Sequence, residues 1–167
     1  MTIMLDRATS PVTNLKELIS AALFSRLVSR IMDEENVSRE YAERIMDQAL
    51  AFLTACALNP SAGLSPSETV DVGWHTFILY TREYAAFCEQ VAGRFIHHTP
   101  NDDANCGQKP RTEDHAAEGL AQTKTMAIGA TVNAIRAAGL PVDIDLWVSA
   151  GDCSQCHAGC YDSPKAA

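Results

Sequence analysis

The chain has 167 residues, 47% of them apolar, and a net charge of −8 with a pI near 5.0. That apolar share excludes global disorder and is enough for a real helical core in one domain, or one domain with a tail. The acidic balance excludes a nucleic-acid backbone or an anionic membrane surface as partner, since both need basic patches. No apolar run approaches the roughly 20 residues that span a bilayer. Met1-Thr-Ile-Met-Leu-Asp-Arg7 lacks a basic stretch followed by an apolar one, so no signal peptide is read and the expected compartment is the cytoplasm. Thiols stay reduced there, and six cysteines then favour metal binding or catalysis over a disulfide framework.

The spacing predicts a first helix over 14–35, with Leu15, Leu18, Ile19, Ala22, Leu23, Leu27 and Ile31 on one face. A second runs over 39–58 after a Ser38 cap, with Tyr41, Ile45, Ala49, Phe52, Leu53 and Cys56 as its stripe. Ser65-Pro66-Ser67-Glu68 reads as the start of a third helix, with Ser65 at the cap, Pro66 at the first position and Glu68 at the third. It is expected to run unbroken from Pro66 to about Ala92 and to stop at Gly93, followed by an extended Arg94–His98. Residues 101–111 form a polar loop. Thr112 then caps an Ala-rich fourth helix to about Ala138, where Ala127, Gly129, Ala130 and Ala134 are expected to let a neighbouring helix approach closely. Pro141–Val148 reads as a link to the C-terminal residues. The expected fold is all-α: a bundle of about four main helices over 1–148, with an irregular cysteine-rich tail over 149–167 folded back on it.

That tail carries the densest chemistry. Cys153, Cys156, His157 and Cys160 fall within eight residues and have no apolar period to explain them. Thiolates and a neutral imidazole at short spacing are ligands for zinc, iron or an iron–sulfur cluster. Cys-x-x-Cys-His is also the pattern of c-type haem attachment, which normally takes place outside the cytosol. The x2-then-x3 spacing differs from the four-cysteine run of ferredoxins. Without a metal, Cys153 and Cys156 would read as a redox dithiol, although no strand-to-helix context supports that.

A second constellation lies on the third helix. Asp71 and His75 are four residues apart, hence on one face. A carboxylate beside an imidazole orients it for metal binding, serves as a ligand itself, or acts as a general base. A third candidate is His97-His98. Adjacent side chains on an extended segment point to opposite faces. One of the two therefore serves any given site; both stay candidates, with a slight preference for His97. Cys56 and Cys88 read as core residues, Cys106 and His115 as incidental to the polar loop, and Trp74 and Trp147 as core or site-lining residues.

Val70-Asp-Val-Gly-Trp74-His75-Thr-Phe77, Tyr84-Ala-Ala-Phe-Cys88 and Gly93-Arg-Phe-Ile-His97-His98 resemble the helical N-terminal region of glycine-rich domain-containing proteins. Those share an Asp-x-x-Trp-His helix and a downstream histidine segment. This resemblance covers about residues 66–100; the glycine-rich stretch is missing here, and the cysteine tail is not part of that pattern. The whole chain is also similar to small actinobacterial proteins that end in a Cys-x-x-Cys-His tail. Neither resemblance implies a reaction.

The expectation is therefore a metal-binding protein in which His75, His97 or His98, Cys153, Cys156, His157 and Cys160 supply ligands at one shared site or two close ones. Zinc comes first, with iron, an iron–sulfur cluster or haem as alternatives. An open coordination position would make it a metalloenzyme with Asp71 as base, acting on a small molecule that the sequence does not name. The rival is a helical module that docks a protein partner while a structural zinc staples its tail.

Overall fold

The computed structural model describes residues 15–99, 115–148 and 159–161. Leu15–Leu18 form a single 3-10 turn, and α1 follows over Ala21–Glu35. The helix does not run through from residue 14 because Ser20 takes extended backbone and its hydroxyl accepts the Leu23 N–H, capping a new start. Asn36, in the left-handed region at φ 52°, ends α1. Ala22, expected on the inner face, is exposed; Leu23, Phe24, Leu27, Val28 and Ile31 form the buried stripe.

Helix α2 spans Arg39–Leu58, capped by Ser38 as its sequence predicts. Every residue from Gln48 to Cys56 is buried, which makes α2 the hub of the bundle. It packs against α1 and against three later helices: α3 (Glu68–Ile78), α4 (Thr81–Ala92) and α5 (His115–Ala137). The architecture is a small all-α bundle. No helix among the described residues is long and apolar enough to cross a membrane.

The predicted third helix is two helices, α3 and α4, separated at Leu79–Tyr80. Tyr80 leaves helical geometry at φ −90°, ψ 62°. In one straight helix Trp74 and Tyr84 would stand about 15 Å apart. The fold brings their polar atoms to 2.9 Å, so the chain doubles back to gather its aromatic side chains. The cap of α3 is Ser67 rather than Ser65. The backbone of Ser65 is engaged on both sides by the Thr131 hydroxyl of α5, while Ser67 accepts the Val70 N–H and donates to the buried Leu146 carbonyl.

The buried face of α5 is Ile128, Thr131, Val132 and Ile135, whereas Gly129 and Ala130 are exposed. Its bulky stripe faces the core with Ala134 packed beside it, while Gly129 and Ala130 take no part in a close approach. Gly139, at φ 71°, ends the turn after α5. Residues 141–148 are no bare linker. Leu146 and Trp147 are buried, and the Trp147 indole donates to Gln48 on α2 at 2.8 Å. Arg44, also on α2, grips Asp143 with two N–H groups.

Two short strands complete the topology. β1 (His97–Thr99) pairs antiparallel with β2 (Gly159–Tyr161), with His97 opposite Tyr161, His98 opposite Cys160 and Thr99 opposite Gly159. Thr112, Cys106, Cys153, Cys156 and His157 lie outside the described residues.

Candidate metal centre

The centre starts from a close approach between two helices. Gly73 is the residue of α3 that faces α2. A Cβ at that position would meet the Ala49 Cβ at 2.7 Å and the Ile45 Cγ2 at 3.2 Å. With only hydrogen there, α3 lies down on α2. Asp71, two residues earlier, is thereby only 3% exposed, and Trp74 beside it is fully buried. His75 follows Asp71 by one helical turn and remains at the rim, its side chain 46% exposed.

The third member comes from β1. After α4 ends at Gly93, in the left-handed region at φ 65°, the chain turns back along α3. Ile96 is fully buried, and His98, two residues on, shares its side of the extended segment. The His98 side chain is 12% exposed and its ring centroid lies 4.4 Å from that of Trp74. His97 takes the opposite side, exposed, with its ring against Phe95 at 4.8 Å. The structure thus reverses the preference for His97: His98 is the histidine beside Asp71 and His75.

Three side chains converge. His98 Nε2 lies 3.3 Å from Asp71 Oδ1, His75 Nε2 lies 3.5 Å from Asp71 Oδ2, and the two Nε2 atoms are 2.6 Å apart. One ligand atom from each residue falls within a common 4.8 Å. Donors held about 2.05 Å from a tetrahedral zinc lie roughly 3.3 Å from one another. The two carboxylate separations come near that figure but run to different oxygens of Asp71, so ligation through one oxygen also needs a turn of the carboxylate. The third would have to open by roughly 0.7 Å, a small tilt for the imidazole at the rim. Two imidazoles with one carboxylate suit zinc and iron(II), and three protein ligands leave coordination positions to fill. The buried carboxylate also needs compensation, because an ionised group taken out of water is costly unless charge or hydrogen bonds meet it.

Of the other candidates, Cys56 and Cys88 are buried in the core, as their helical positions imply. The backbone of Cys160 is in β2, opposite His98. Two residues that set up the centre escape the sequence reading. Gly73 had a signal, since an isolated glycine inside an apolar helix usually has a packing reason. Tyr84, whose hydroxyl meets both Trp74 and the Ile96 carbonyl, had none.

A family model described as UCP032817-like matches residues 15–127. No curated protein and no solved structure matches the chain.

Proposed function

We propose that this chain, which belongs to the UCP032817-like family, is a metal-binding protein built around Asp71, His75 and His98. The observation that carries this reading is the convergence of one carboxylate and two imidazole nitrogens within a common 4.8 Å, from which small side-chain adjustments reach zinc-ligand separations.

The finer reading is a mixed site. Directly opposed residues of an antiparallel pair lie on one face of the ribbon. The backbone register opposite His98 is the support for proposing Cys160 as a fourth ligand that would close a tetrahedral site. Zinc is the preferred ion for a closed set of one thiolate, two imidazoles and one carboxylate. Cys153, Cys156 and His157 precede Cys160 in the same segment and are reserve ligands for a shared or adjacent ion. The ion then clips α3, β1 and β2 together, which is a structural role.

The exposure of His75, at 46%, favours a second reading. Here the three ligands keep an exchangeable position, and the ion, zinc or iron(II), activates water or binds a small molecule. Cobalt(II) reconstitution separates the two. A closed site gives an intense thiolate-to-cobalt charge-transfer band that Cys160→Ser abolishes; an open site lacks the band and responds to added azide. If neither zinc nor cobalt binds the reduced, tag-free chain stoichiometrically, the metal reading is wrong.

A further inference from the structure

Resting on the metal reading above, we propose that Tyr84 is a positioning residue of the centre: its hydroxyl sets where His98 stands relative to Asp71 and His75. Tyr84 is on α4, and its hydroxyl bonds to groups next to the ligands. Its phenol oxygen accepts the Trp74 indole N–H at 2.9 Å and donates to the Ile96 carbonyl at 2.7 Å. Trp74, Tyr84 and Ile96 are all fully buried, so water cannot replace either bond.

Each end of this relay reaches the centre by a separate route. At one end, Trp74 is the residue between Gly73 and His75 on α3, and its ring lies 4.4 Å from the His98 ring. Holding the indole fixes the wall against which the imidazole rests. At the other end, the Ile96 carbonyl belongs to the backbone that enters β1. His98 is two residues beyond it, about 6.6 Å along an extended chain. Pinning that carbonyl fixes both the depth and the twist with which β1 delivers His98. One hydroxyl thus joins the helix that carries Asp71 and His75 to the strand that carries His98. Chained hydrogen bonds of this kind polarise one another in a dry interior, which adds directional stiffness.

Tyr84→Phe removes the hydroxyl and keeps the ring, which packs edge-on against Phe77 and Phe95 at 5.2 Å each. The indole N–H and the Ile96 carbonyl then lose their shared partner, and β1 can shift. Groups that orient metal ligands typically cost 10–100-fold in affinity when removed. The expected effect is a roughly tenfold weaker zinc dissociation constant in Tyr84→Phe, at the lower end of that range because the contact is indirect. It is read by competition with a chromophoric chelator well below the melting transition. Val28→Ala, in the fully buried stripe of α1, is the control for lost stability without lost positioning. Its dissociation constant should equal the parent's while its melting temperature falls.

Equal zinc affinity in Tyr84→Phe and parent would overturn the proposal, as would the same weakening in Val28→Ala. If Tyr84→Phe does not fold, Trp74→Phe reads the other end of the relay. It removes the indole N–H and shrinks the wall beside His98, so it too should weaken zinc binding, and unchanged binding there would overturn the proposal. A parent chain that takes up no zinc would sink the metal reading itself, a result distinct from a parent that binds and a variant that binds equally well.

Discussion

Asp71 is a carboxylate at 3% exposure whose recorded side-chain partners are two histidines. Burying such a group is justified by what it binds, because a well-packed neutral residue costs less to bury. Asp71→Asn should therefore leave the metal-free fold as stable as the parent or slightly more so. The same substitution should abolish most of the thermal stabilisation that zinc confers. A ligand at 100 times its dissociation constant adds about 2.7 kcal/mol, so the parent shift is readable by differential scanning calorimetry. A zinc-induced shift in Asp71→Asn equal to the parent's would remove Asp71 from the ligand set. Asp71 and His75 were legible because helical spacing places i and i+4 on one face. The choice between His97 and His98 was not. Phe95 and Ile96 are both apolar, so either phase of the extended segment presents an apolar residue inward. Packing against the bundle buries Ile96, and His98 goes with it.

Among the elements, α3 decides the geometry of the centre, and two of its residues are tests of that role. Gly73→Ala would improve intrinsic helix propensity by about 1 kcal/mol. Against this, the new methyl would press on Ala49 at 2.7 Å and on both the side chain and the carbonyl of Ile45 at 3.2 Å. Overpacking typically costs about 1–3 kcal/mol, so the net expectation is lower stability together with weaker zinc binding as α3 lifts from α2. A melting temperature at or above the parent's would show that the helices have room to part. Ser67→Ala should cost roughly 1–2 kcal/mol as a lost cap, and somewhat more because the buried Leu146 carbonyl loses its donor. Denaturant titration measures the loss, and an unchanged midpoint would contradict it. The start of α3 was legible to within two residues. Its separation from α4 was not, because Leu79-Tyr80 contains no glycine or proline. The break comes from tertiary contacts: Trp74, Phe77, Tyr84 and Phe87 cluster only when the chain doubles back.

Across the molecule, the chain after α5 is tied to α2 by an ion pair and a buried indole. The Arg44 guanidinium beside Asp143 holds that carboxyl below the usual carboxylate range, its hydrogen bonds outweighing the cost of partial burial. A carboxylate with a depressed folded-state pKa contributes stability above its unfolded pKa, near 3.9, and loses it as pH falls through the folded value. Asp143→Asn should therefore melt below the parent at neutral pH, and the gap should close progressively in the acid range below about pH 4. A gap that persists once Asp143 is protonated would assign the effect to shape rather than charge. Trp147 is tied to α2 through Gln48, and β2 pairs with β1. Helical periodicity revealed the bundle, but the Arg44–Asp143 and Gln48–Trp147 contacts each join residues 99 positions apart and leave no local pattern to read. The cysteine density in the tail was plain from the sequence. The backbone pairing of Cys160 with His98 became visible only through the strand register.

The most direct test is a zinc titration of the reduced, tag-free parent and His98→Ala at neutral pH against a chromophoric chelator. The account predicts about one tightly held equivalent in the parent, with two histidines and a carboxylate among its ligands, and loss of that tight binding in His98→Ala. No tight equivalent in the parent would contradict it. So would undiminished affinity in His98→Ala, which would move the ion away from Asp71 and His75 and onto the cysteine tail alone.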